Sequence, residues 1–76
     1  MGPTEMEVLD LRPIERWERF GVILGKLGQM GSDASLTVIN DFEPLPLYGE
    51  LNGRGYQYST EKVSEEEWKV TIRRSS

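Results

Sequence analysis

Two carboxylates, Asp41 and Glu43, follow directly on the apolar run Leu36-Thr37-Val38-Ile39 and precede the turn-forming Pro44-Leu45-Pro46. A strand that empties into such a corner is where small α/β domains place binding and catalytic groups. If the two side chains converge in the turn, they could act as a general acid–base pair or hold a cation. Carboxylates suit Mg²⁺ or Ca²⁺, but those ions want more oxygen ligands than this corner offers. No metal and no other cofactor is therefore assigned. The preferred role for Asp41 is structural, capping the following turn through its backbone N–H groups.

A second cluster is basic. Arg12, Arg16 and Arg19 fall close together around the start of a predicted helix. Arg12 and Arg19, with Asn40 and Asp41 on the same edge, make a candidate site for a small anion or metabolite, aided by the free N–H groups of a helix start. The competing reading of Arg12 is an ion pair with Asp10 or Asp41 that only fixes the corner. Arg19 is separately expected to pair with a helix carboxylate such as Glu15, a contribution of about 0.5 kcal/mol. Trp17, Tyr56, Tyr58 and Trp68 could stack on single-stranded RNA bases, although Trp68 reads as a core residue. A formal net charge of −4 weighs against nucleic acid, because phosphate neutralisation needs an excess of Lys and Arg. Gly53-Arg54-Gly55 lacks the lysine and the strand–loop–helix setting of a phosphate loop and reads as a turn.

What is missing excludes more. The chain has no cysteine and no histidine, which removes disulfides, thiolate ligands, cysteine nucleophiles and imidazole bases together. Without a nucleophile–base pair or a ligand set, an enzyme is not expected. A secreted domain this small would often need disulfides, so the cytoplasm is the expected compartment. Residues 1–7 are acidic and lack a signal-peptide apolar region. No apolar run approaches the roughly 20 residues of a membrane span.

The elements that must position these residues follow from periodicity. Met6 to Leu11 reads as a short strand, with Met6, Val8 and Leu9-Leu11 alternating with Glu7 and Asp10 and one face well buried. From Trp17 onward, Phe20, Ile23, Leu24, Leu27 and Met30 repeat at helical spacing and place an apolar stripe on one side. Gly21 and Gly25 lie inside that helix, each costing about 1 kcal/mol against alanine; close approach to the sheet or to a partner is the expected compensation. Gly31-Ser32-Asp33 ends the helix. Leu36 to Ile39 follows as a central strand, and Pro44 or Pro46 opens a shorter helix carrying Leu47, Tyr48 and Leu51. Asn52-Gly53-Arg54-Gly55 stops it. Tyr56 to Glu61 and Trp68 to Arg73 alternate with period two around the acidic turn Glu65-Glu66-Glu67, a hairpin with Trp68, Val70 and Ile72 inward.

With 76 residues, 37% hydrophobic and 29% charged, this is a single globular domain over residues 1–76 with its ordered core at about 6–74. A chain of this size buries only roughly 60% of its unfolded surface. The order strand, helix, strand, helix, strand, strand with right-handed crossovers predicts an α+β two-layer βαβαββ sandwich, its four-stranded mixed sheet carrying both helices on one face. The other sheet face is left for solvent or a partner.

Several landmarks line up in order and spacing: Leu9-Asp10-Leu11-Arg12, Glu18-Arg19, Asn40-Asp41 with Pro44 and Pro46-Leu47, and Glu67-Trp68-Lys69-Val70-Thr71-Ile72. From about Val8 to Arg74 the chain resembles an uncharacterised bacterial family of TusA/SirA-like domains, the domain of unknown function numbered twenty-two forty-nine. The resemblance implies the same two-layer fold as the sulfur carrier TusA, and a bacterial metabolic or respiratory setting. The sulfur carriers use a cysteine followed by proline at the start of the first helix, so persulfide transfer from this cysteine-free chain is excluded. The closer family usually reads Asn-Asp-His-Asp-Pro after the second strand and Glu-Arg-His at the first helix. Here Phe42 and Phe20 stand where those histidines would, and the two rings are expected to touch and close a pocket that relatives keep polar. A non-enzymatic cytoplasmic protein-interaction or accessory module is the expected function, with another protein as partner; anion binding at Arg12, Arg19, Asn40 and Asp41 is the alternative, and RNA contact a weaker one resting on fold alone.

Overall fold

The computed structural model describes residues 6–31 and 33–74. Residues 1–5, on which most of the signal-peptide reading rests, lie outside that range, as does Ser32 of the expected helix-breaking turn. The elements are β1 (Met6–Asp10), α1 (Arg16–Gln29), β2 (Ser35–Asn40), α2 (Leu45–Gly53), β3 (Tyr56–Ser64) and β4 (Glu67–Arg74). The sheet runs β1-β2-β4-β3, with β1 and β2 parallel and the other two pairs antiparallel. This is the expected mixed βαβαββ architecture. A parallel β1–β2 pair needs a crossover, and α1 supplies it.

Register brings Leu36 opposite Ile72 and Val38 opposite Val70. These four side chains are fully buried in the two inner strands. Ile23 and Leu27 of α1 and Leu47 and Leu51 of α2 join the same cluster, so both helices cover one face of the sheet. The opposite face presents Val8, Thr37, Thr71 and Ser59 in one row, with Thr37 and Thr71 sharing a hydroxyl hydrogen bond of 3.0 Å. Gly55 turns the chain out of α2 at φ +83°, a conformation that a residue with a Cβ adopts only at a cost.

Three expectations are corrected. In β1 the exposed apolar residues are Met6 and Val8, at 74% and 70%, while Leu9 packs against the core. The strand alternates as expected but in the opposite phase, because the inward position of Leu9 follows from its pairing with Val38. Trp68 faces inward but is only half-buried, with the Lys62 ammonium 5.4 Å from its ring centre. Gly21 and Gly25 are exposed, and a Cβ on either would meet nothing within 4 Å. Close approach to the sheet is therefore not what these glycines provide.

That open space generates a stability prediction. Gly21→Ala and Gly25→Ala should each stabilise the domain by about 1 kcal/mol through helix propensity and a less disordered unfolded chain. For a domain of this size this is a rise of about 4–8 °C in Tm by calorimetry. A fall in Tm would mean that the α1 glycines are needed where they stand.

Candidate functional site

The corner after β2 is organised by Arg19. Arg19 lies on the inward stripe of α1, together with Ile23 and Leu27, and is buried there at 7% exposure. A buried guanidinium must have its donors satisfied and its charge paired. Its Nε donates to the Ile14 carbonyl at 2.8 Å and one Nη to the Arg12 carbonyl at 3.2 Å, which ties down the β1–α1 loop. The other Nη donates to Asn40 Oδ1 at 2.7 Å and to Asp41 Oδ1 at 2.9 Å. Asn40, itself buried, passes the chain on by donating to the Phe42 carbonyl at 3.0 Å. Among the described residues no buried side-chain polar atom is left without a partner.

This network replaces two expected roles. Arg19 does not lie along the helix surface with Glu15; it turns inward, because the burial of its stem and the acceptors at the strand end outweigh a surface pair worth a few tenths of a kcal/mol. Asp41 takes a structural place, but through Arg19 at 2.9 Å rather than at the start of the next helix. That helix has Pro44 at its N-cap and no side-chain cap hydrogen bond. The hydrogen bond from Arg19, before any other cause, holds the Asp41 carboxyl below its ordinary pKa.

Of the four candidate ligand residues, the structure joins Arg19, Asn40 and Asp41 directly. Arg12 meets them through its carbonyl alone. Its exposed side chain grips Asp10 with Nε–Oδ1 and Nη2–Oδ2 contacts of 3.0 Å each, and its backbone N–H also donates to Asp10 at 3.0 Å. That grip lowers the Asp10 pKa and raises that of Arg12. Asp41 and Glu43 do not share a partner: Glu43 receives the Tyr48 hydroxyl at 3.4 Å, and that hydroxyl also meets Thr60 Oγ1 at 2.7 Å. Burial pushes the Tyr48 pKa up. Among the described residues no cluster of three or more carboxylates could hold a metal.

The aromatic residues likewise divide. Tyr58 stacks on Tyr48 with ring centres 4.3 Å apart and 4° between planes. Tyr56 and Tyr58 pack against the core under α2, whereas Trp17 stands 80% exposed on α1. The four expected stacking residues thus do not present one common surface.

Phe20 and Phe42 do belong together, as lining of one cavity of about 320 Å³ between α1 and α2 above the end of β2. The expected contact between their rings is not found: among the described residues the ring pair in contact is Tyr48–Tyr58, and each phenylalanine is engaged by an arginine instead. The Arg16 guanidinium carbon lies 4.5 Å from the Phe42 centroid, and Arg54 lies 5.8 Å from that of Phe20. Ile23, Val38, Pro44 and Leu47 supply further apolar wall, and Arg16, Arg19, Asn40 and Glu50 supply the polar part of the lining. What sequence reading missed is the contact of Arg16 with Phe42 at the edge of this cavity. The available signal was the pairing of Phe20 and Phe42 at one corner, which pointed to a pocket but not to its arginine.

Fold and cavity define a small two-layer α+β domain with an apolar cleft between its helices. The chain belongs to the family of uncharacterized conserved proteins designated DUF2249, whose model matches residues 8–74. No curated protein and no solved structure matches it.

Two outcomes follow from the Arg19 network. Arg19→Ala should cost about 3 kcal/mol in denaturant unfolding, since it strands the partners of a buried ion pair; a loss below about 1 kcal/mol would deny Arg19 its organising role. The pH dependence has a fixed sign. Asp41 has a lowered pKa in the folded state, so its stabilisation is present above the unfolded value of about 3.9 and is lost as pH falls through the lower folded value. Between about pH 5 and pH 2 the wild type should lose stability more steeply than Asp41→Asn. Equal slopes would show that Asp41 is not the linked group.

Proposed function

We propose that this protein is a non-enzymatic interaction module that seats one bulky apolar side chain of a partner protein in the cavity between α1 and α2. The observation that carries this is the cavity itself: about 320 Å³, with phenylalanine, isoleucine, valine, proline and leucine walls, and with its buried polar lining already satisfied internally. Small-molecule sites run from about 300 to 1,000 Å³. This one, at the low end, suits a single ring or branched side chain better than an extended cofactor. Hot-spot anchors at protein interfaces fill apolar pockets of about this size.

The alternative, an anion held by Arg12, Arg19, Asn40 and Asp41, has less support. Both guanidinium groups are already engaged by carboxylates of the chain, Arg12 by Asp10 and Arg19 by Asp41. A cytoplasmic setting is part of the same proposal and rests on the absence of cysteine. No helix among the described residues is long and apolar enough to cross a membrane.

Indole, standing in for a tryptophan anchor, tests the reading. In a ¹H–¹⁵N titration it should shift the amides of Phe20, Phe42 and Leu47 and leave the tip of the β3–β4 hairpin unmoved. Phe20→Ala, at a half-exposed residue, should weaken binding about fivefold or more, on the order of 1 kcal/mol, with Tm nearly level. A titration that moves no lining amide ends the proposal.

A further inference from the structure

We infer that the partner segment carries a carboxylate, an aspartate or glutamate next to its bulky apolar residue, and sets it against Arg16; this rests on the binding role proposed above. Three charged residues line the cavity: Arg16, Arg19 and Glu50. Arg19 is closed by Asp41 at 2.9 Å and Glu50 by Arg54 at 3.3 Å. Among the described residues Arg16 has no ion-pair partner within 4.0 Å. The cleft is therefore left with one uncompensated charge, and it is positive.

The guanidinium is also pre-ordered. It sits over the Phe42 ring at 4.5 Å, a cation–π contact that uses no hydrogen-bond acceptor and leaves its N–H fork available. A carboxylate is the acceptor that matches this fork with two parallel, charge-assisted bonds. Asp41, the carboxylate of the same corner, is held by Arg19 and feels Arg16 only as a lesser, longer-range attraction. The exposed acids on either side of Arg16 in the chain, Glu15 and Glu18, are not part of the cavity lining.

The test uses two capped tripeptides, Ac-Glu-Trp-Glu-NH₂ and Ac-Gln-Trp-Gln-NH₂, with indole as the uncharged reference. Each is titrated into wild type, Arg16→Gln and Arg16→Lys and followed by ¹H–¹⁵N spectra. The acidic peptide should bind wild type about tenfold more tightly than the neutral one, the factor corresponding to about 1.4 kcal/mol. Arg16→Gln should abolish that preference with Tm unchanged, and Arg16→Lys should keep only part of it because the fork is lost. If both peptides shift the lining amides with equal affinity, the carboxylate assignment falls and the apolar cavity reading stands. Indole binding without either peptide also overturns it, since a peptide segment then does not reach the cleft. If neither indole nor the peptides move a lining amide, both readings fall together.

Discussion

Everything at the working end of this domain depends on burying one arginine. A guanidinium taken out of water costs several kcal/mol unless its charge and donors are met in place. Arg19 meets them with acceptors from three stretches of chain: the β1–α1 loop through Arg12 and Ile14, the last residue of β2 through Asn40, and the following corner through Asp41. None of these groups is held by the hydrophobic cluster alone. The cluster fixes the middle of the sandwich, where Leu36, Val38, Val70 and Ile72 meet the two helices, and Arg19 fixes its edge.

The cavity is a consequence of that arrangement. One turn before Ile23 the inward stripe of α1 changes from an aliphatic side chain to Arg19, and Phe20 and Arg16 beside it face the gap toward α2. The start of α2 carries Pro44 at the N-cap and Pro46 just inside, residues without N–H donors that fill space without asking for partners. Because the Arg19 charge is neutralised from below and from the side, the gap above it can stay apolar. An unpaired Arg19 would instead demand water or a ligand anion. The internal pairing bears on both functional readings: it gives Arg19 a carboxylate partner within the chain and leaves an apolar cleft with Arg16 at its rim.

Periodicity made most of the fold legible in the sequence, and the reasons differ by element. The 3.6 period of Ile23 and Leu27, the apolar run of β2, the prolines before α2 and the two-residue alternation of β4 each match their observed element, because burial on one face dictated the residue types. In β1 the alternation was visible and the phase was not. Five residues with apolar side chains on both parities do not say which face is covered, and only the register against Val38 decides it. At the site, residue types disclosed the corner but not its connections. Arg19, Asn40 and Asp41 were recognisable as members of one cluster, whereas a long arginine can satisfy itself outward or inward, and sequence spacing favours the outward helix-surface pair. The contact of Arg16 with Phe42 joins residues far apart in the chain and has no local signature.

The ionisable groups around the cleft support the proposed binding role. General acid–base catalysis works best when a group titrates near the operating pH, and the residue types that ordinarily do so, histidine above all, are absent from the chain. The carboxylate closest to the floor, Asp41, is moved away from neutrality rather than toward it, because the hydrogen bond from Arg19 favours its charged form. Tyr48 is also moved away, upward, by burial. Arginines keep their charge throughout. A site assembled in this way presents one constant electrostatic surface across the physiological range: neutral in its floor, apolar in its walls, and cationic at the Arg16 rim. Such a surface selects a shape and a sign of charge, which is what recognition of another molecule requires.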